Sequence, residues 1–372
     1  MTALLLVASC SSGTSTPVAN SSPTSAATVT ATAGAQPSAA PSAIDQTPAP
    51  SAAAYAVVAG DGAIDVLGSN GGVLVTASLT IPYGPFDTAL PWVSVTSSRV
   101  YYLDAGKTLR FIGLDGTSGT LRDLPVNTAT EEAGISVSPD GSRIAVAVLS
   151  YDPAPSGQGV GSAAYAGMRM YVENTADGAD KAYIFSSTTV AEFPIGWVHG
   201  NLVIAVGDTP LCCQAEGINP YSAVAYHVAD PTTGRRIATL CAASQGPEGP
   251  AEPVGTLCEE TSGPPKYEWW DGREVPLPAA VPSPGRYLVA LSPDGVRVAA
   301  GGTPIRILSG GLNDVVLNVS GTVVGWLDAD HVVYTDASTF DLAVVSVTSG
   351  TVVPLPGGGK ELYIGPIPAA LS

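Results

Sequence analysis

Basic side chains are scarce in this chain. Lys and Arg number 15 against 32 Asp and Glu, a formal net charge of −17, so a polyanion is repelled and nucleic acid is excluded as a partner. Charge of either sign makes up only 13% of residues. Helical patterning is missing too. No apolar i, i+3, i+4, i+7 stripe runs longer than two turns, and no stretch approaches the roughly 18 unbroken apolar residues of a membrane helix. In their place stand 42 Gly and 32 Pro, a make-up suited to short strands joined by tight turns.

The N-terminus reads as an export signal. Leu6-Val7-Ala8-Ser9-Cys10 has the small residues before a cysteine that a bacterial lipoprotein signal carries. Residues 1–9 are then the signal segment and Cys10 the point of lipid attachment. A secretory signal has a positive n-region and an apolar stretch of roughly 7–15 residues, whereas Met1 to Ser9 holds no Lys or Arg and its apolar core, Ala3 to Ala8, is short. A translation start upstream of Met1 accounts for both defects. From Cys10 to about residue 53 the chain is mainly Ser, Thr, Ala, Pro and Gly with one charge, Asp45. It has too few large apolar side chains to offset its ordering entropy and is expected to be a disordered tether, spanning roughly 35–40 Å root-mean-square in the flexible regime. The expected location is extracytoplasmic, with the bacterial cell membrane contacted through lipid on Cys10.

From residue 54 onward short strands alternate with turn signals, and two motifs recur. Ile135-Ser136-Val137-Ser138-Pro139-Asp140-Gly141-Ser142-Arg143-Ile144-Ala145-Val146 is matched by Val289-Ala290-Leu291-Ser292-Pro293-Asp294-Gly295-Val296-Arg297-Val298-Ala299. Each reads strand, turn, strand: Pro sets φ, Asp bonds its own downstream backbone and Gly accepts positive φ. The second motif is Gly196-Trp197-Val198-His199-Gly200, echoed by Gly325-Trp326-Leu327-Asp328-Ala329-Asp330-His331, with a weaker third copy at Trp92 to Tyr102. Further strand pairs follow around Asp115-Gly116, Pro231 to Gly234 and Ser349-Gly350.

Four strands per unit, repeated at about 35–55 residues, fit the blades of an all-β propeller. The Ser-Pro-Asp-Gly turns between apolar strands resemble the WD40-like repeats of periplasmic TolB-type propellers. That resemblance implies the fold for residues 54–372 and says almost nothing about activity. Blocks at 53–85, 90–127, 131–190, 193–280, 284–320 and 322–358 give six blades. Seven is the alternative if 193–280 divides, because residues 266–278 read as an extra hairpin about Asp271-Gly272. The first block has only about three strands, and Glu361-Leu362-Tyr363-Ile364 is placed to supply the fourth.

Four cysteines besides Cys10, namely Cys212, Cys213, Cys241 and Cys258, fall in a stretch expected to be an insertion at about 208–265. Their even number in an oxidising compartment points to two disulfides. Adjacent Cys212 and Cys213 point to opposite faces of an extended backbone, so each is expected to bond a different partner, Cys241 or Cys258. A zinc site would need four converging ligands, and no Cys-x-x-Cys pair is present.

Catalytic constellations are thin. His199, His227 and His331 are scattered, and the first and last occupy equivalent turn positions. Asp328-x-Asp330-His331 lacks carboxylate counterparts in its sister repeat, so turn chemistry explains it better than a metal. No Gly-x-Ser-x-Gly elbow is present, nor is the Ser-x-Asp-x-Gly-x-Thr-Trp box of sialidases. No catalytic residue, cofactor or metal is assigned. Tyr267, Trp269 and Trp270 are the one aromatic cluster able to project as a contact surface, with core packing as the alternative. The expected function is a lipid-anchored binding or scaffold module for a protein, peptide or cell-envelope polymer. The alternative is a lactonase-like or sugar-cleaving enzyme with its site at the central channel.

Overall fold

The computed structural model describes residues 55–60, 62–68, 70–80, 90–96, 98–152, 164–207, 223–242, 255–258, 266–275, 289–309, 314–355 and 361–365. The signal segment, Cys10 and the tether lie outside them. All regular structure among the described residues is β, in seven antiparallel sheets.

The first sheet contains β1 (Tyr55–Gly60), β2 (Ala63–Leu67) and β3 (Val73–Ser78). The second is β4 (Val93–Val95), β5 (Arg99–Asp104), β6 (Thr108–Gly113) and β7 (Ser118–Asp123). The third is β8 (Glu131–Val137), β9 (Arg143–Asp152), β10 (Ala164–Asn174) and β11 (Ala182–Ser187). The fourth is β12 (Ala191–Val198), β13 (Asn201–Gly207), β14 (Ala223–Ala229) and β15 (Arg236–Leu240). Three strands make the fifth: β16 (Gly255–Cys258), β17 (Lys266–Trp269) and β18 (Glu274–Val275). The sixth is β19 (Val289–Leu291), β20 (Arg297–Ala300), β21 (Arg306–Ser309) and β22 (Val315–Val316). The seventh is β23 (Gly321–Trp326), β24 (His331–Asp336), β25 (Leu342–Ser346) and β26 (Val352–Pro354). Finally β27 (Glu361–Gly365) returns to the first sheet and pairs with β1, Ala56 opposite Ile364 and Val58 opposite Leu362.

Burial explains the strand order. In β9 the six residues Ile144 to Leu149 are all 0% exposed, so both faces of that strand are covered and an unbroken apolar run is required. Fourth strands behave otherwise: β7 and β11 are partly exposed along their whole length. The second and third sheets therefore pass from buried strands to a wet edge. Apolar contacts join successive sheets. Ile64 and Val66 share a cluster with β5 and β6, and that cluster runs on into β8 and β9. Met168 meets Phe193 and Tyr226, Leu257 and Tyr267 meet Val289 and Val298, and Ile307 meets Val323 and Trp326. Leu67 of β2 packs with Val333 and Val344 of the seventh sheet. Sheets stacked face to face in chain order are the architecture of a β-propeller.

The block 193–280 carries two sheets, dividing as the alternative to six blocks supposed, and one expectation, the insertion, needs correction. The strands of the fifth are only four, four and two residues long; its β17–β18 hairpin is the one read about Asp271-Gly272, while β16 is too short to show alternation. For the same reason residues 255–258, expected inside an insertion, are instead the first strand of that sheet.

Candidate functional site

Both repeated motifs do interlocking work. In the Ser-Pro-Asp-Gly turns the Asp140 carboxylate accepts from Ser138 Oγ at 2.6 Å and from the Ser142 amide at 3.0 Å, while Ser138 Oγ accepts the Arg143 amide at 2.9 Å. Asp294 repeats this with Ser292 and the Val296 amide, and Ser292 Oγ with the Arg297 amide. Gly141 and Gly295 take φ of 73° and 70°. In the Gly-Trp motif a bulge falls just before each glycine, between Pro194 and Gly196 and between Val323 and Gly325, and re-aims the following ring. Trp197 Nε1 donates across to Ser136 O of the third sheet at 3.2 Å, and Trp326 Nε1 to Ala290 O of the sixth at 3.0 Å. The two motifs thus lock neighbouring sheets together.

Asp328, Asp330 and His331 are turn chemistry. Asp328 Oδ1 accepts the Asp330 and His331 amides at 2.7 and 2.8 Å and meets His331 Nδ1 at 2.9 Å. Asp330 accepts from Ser346 Oγ and the Thr348 amide. His199 sits at φ 47° in the equivalent turn.

The aromatic cluster divides. Tyr267 and Trp270 are 1% and 4% exposed, and Trp270 packs edge-on against Tyr226 with centroids 5.7 Å apart. They fill the space between sheets, which removes them as projecting contacts. Trp269 is half-buried beneath the Arg273 guanidinium. The expected disulfide pattern also changes, because Cys241 bonds Cys258, their Cα atoms 5.1 Å apart. Neither can then serve Cys212 or Cys213, which lie outside the described residues. The bond joins the residue after β15 to the last residue of β16, a juxtaposition of two sheets that spacing alone does not reveal.

Glu131 and Glu192, on the first strands of the third and fourth sheets, are held in ion pairs. Glu131 meets Arg169 Nη1 at 2.7 Å; burial alone would lift its carboxyl, but the Arg169 bonds and the Asn127 amide hold it below the usual range. Glu192, 4% exposed, pairs with Arg236 and lies 3.7 Å from His227 Nε2. Burial raises Glu192, the Arg236 charge offsetting part of the rise. Burial and, secondarily, Arg236 push His227 down from 6.5 to about 4. Between those pH values the unfolded chain binds a proton at His227 that the folded chain does not, so stability from this residue is lost as pH falls through that window. Glu192 acts in the opposite sense. His227→Gln is expected to flatten the decline in denaturation midpoint between pH 6.5 and 4; a profile unchanged by the substitution would contradict a half-buried, neutral His227. Among the described residues no group of three or more His, Cys, Asp or Glu is arranged to hold a metal ion.

Exposed apolar side chains concentrate on last strands: Val73 and Leu74 of β3, Tyr183 of β11, Ile237 of β15 and Val316 of β22 are 46–66% exposed. Phe340, at 79% the most exposed of the large apolar residues described, belongs to a turn that sequence reading missed. Four hairpin turns, Asn174–Ala179, Asp230–Arg235, Ser346–Thr351 and Asp336–Asp341, share one pattern. The first amide donates to the sixth carbonyl at 2.8–2.9 Å and the fifth amide to the first carbonyl at 2.9–3.0 Å. The fifth residue is Gly178, Gly234 or Gly350 in three of them, with φ of 70–72°, and Phe340 at φ 61° in the other. Aligning Asp230-Pro-Thr-Thr-Gly with Asp336-Ala-Ser-Thr-Phe would have revealed it.

No family model matches the chain, and no curated protein sequence matches it. Solved structures do resemble it. BamB from Moraxella catarrhalis is 14% identical, with 81% of each chain covered and a TM-score of 0.38. TolB from Acinetobacter baumannii is 10% identical over 83% of this chain and 65% of its own, TM-score 0.39. The acylaminoacyl peptidase of Pyrococcus horikoshii is 10% identical over 82% of this chain and 50% of its own, TM-score 0.47. At this level of likeness none of the three bears on activity, ligand or partner.

Proposed function

We propose that this chain is an extracytoplasmic binding or scaffold module, tethered to the bacterial cell membrane by lipid on Cys10, whose seven sheets close into the blades of one propeller that engages an envelope protein or polymer. The lipoprotein-type segment ending at Cys10 and the tether composition support the anchorage. Pairing of β1 with β27, together with the contact of Leu67 with the seventh sheet, supports closure. The observation that carries binding over catalysis is the contrast between first and last strands. Glu131 and Glu192 are committed to arginines of their own sheets, while apolar side chains stand exposed on the last strands of several sheets.

The test is quantitative affinity capture from detergent-solubilised native membranes with the anchor intact. One envelope component should be enriched, equally by the Glu131→Gln variant, and fatty-acid label should disappear in Cys10→Ala. Turnover of lactone or glycoside substrates that Glu131→Gln abolishes, with nothing enriched, would overturn the reading.

A further inference from the structure

Phe340 occupies a backbone conformation that its three sister turns reserve for glycine. The correspondence with Asp230–Arg235 extends to side chains. Asp230 Oδ1 accepts the Thr232 and Thr233 amides, and Asp336 Oδ1 accepts the Ser338 and Thr339 amides; Thr233 Oγ1 accepts the Arg235 amide and Thr339 Oγ1 the Asp341 amide. Pro231, Thr232 and Arg235 become Ala337, Ser338 and Asp341 without disturbing these bonds, and the fifth residue alone changes from glycine to one bearing Cβ. A left-handed conformation is costly for a side chain bearing Cβ, and most of all for a bulky one. The ring recovers nothing by burial, being 79% exposed. A position that is strained and unburied marks a side chain kept for something outside the chain.

We infer that Phe340 is an anchor for a protein partner, inserting into an apolar pocket rimmed by Lys or Arg; this rests on the binding reading above. A lone aromatic on a rigid turn suits a pocket rather than a flat surface. The rim follows from charge: Asp336 and Asp341 belong to the same six-residue turn as Phe340, within a chain of net charge −17, and complementary charge steers such encounters. The same charges oppose insertion into an anionic lipid surface.

The experiment places the photo-crosslinking analogue benzoylphenylalanine at 340 in the full, anchored chain and irradiates intact native cells. A discrete adduct with a different protein is expected. It should weaken roughly fivefold or more in about 0.5 M salt, where surface charge is screened, or with Asp341→Lys, and be absent with the analogue at 352 on β26 of the same sheet. In parallel Phe340→Gly should raise the thermal midpoint by about 2 °C. A lipid adduct, an adduct with a second copy, an adduct indifferent to salt and Asp341→Lys, or no rise in midpoint overturns the assignment. If 340 gives no adduct while 237, 296 or 316 does, Phe340 is not the anchor and the binding reading survives; if none does, both fall.

Discussion

Trp197→Ala is expected to cost about 3–5 kcal/mol of stability, the range for removing a large aromatic from a core. The ring is 1% exposed and packs with Ala145, Met170 and Val172 of the third sheet and Leu202, Ile204 and Ala229 of the fourth. Its deletion therefore opens a cavity between two sheets rather than at an edge. The indole also donates to Ser136 O, which keeps its ladder partner in β9, so Trp197→Phe should cost about 0.5–1.5 kcal/mol for the lost bond. Trp326, 2% exposed and bonded to Ala290 O, should behave alike. Denaturant midpoints measure both. Losses below about 1 kcal/mol for the alanine variants would mean that the Gly-Trp motif does not fasten adjacent sheets.

Breaking the Cys241–Cys258 bond should cost about 3 kcal/mol, the loop-closure estimate for a bridge of this span. The two residues are 17 apart in sequence and belong to different sheets, the second of which has only three short strands. Cys241 and Cys258 are also 1% and 0% exposed, so cysteines left reduced would remain packed, and the Cys241→Ala/Cys258→Ala variant isolates the bridge less cleanly than reduction. Unfolding monitored with and without reductant should show the fall in the parent and none in the double variant. Equal loss in both would trace the effect to another disulfide.

Local chemistry made much of this molecule readable from its sequence. Ser-Pro-Asp-Gly carries its own turn instructions, and Asp140 and Asp294 bond as those instructions require. Asp271-Gly272 was legible for the same reason, with the Arg273 amide on Asp271 Oδ1 at 3.0 Å. The return of Glu361 to Ile364 to the first sheet was legible by counting strands. What escaped depends on juxtaposition. β16 is too short to show a period, so the first strand of the fifth sheet stayed hidden in the expected insertion. The partner of Cys241 was set by where β15 and β16 end in neighbouring sheets, and adjacency of Cys212 and Cys213 pointed elsewhere. Tyr267 and Trp270 have the composition of a contact patch and the placement of a core. Phe340 is an ordinary letter in the sequence and stands out only beside the glycines of its sister turns.

The reading of this chain as one propeller rests on the first and last strands belonging to the same sheet. Hydrogen exchange of the intact protein, followed by mass spectrometry, tests this most directly. Amides in 55–60 and 361–365 are predicted to be protected together and to open only with the cooperative unfolding that releases β9 and β13. Exchange of 361–365 at the rate of an unstructured segment, with 55–60 opening as a free edge, would contradict a closed propeller.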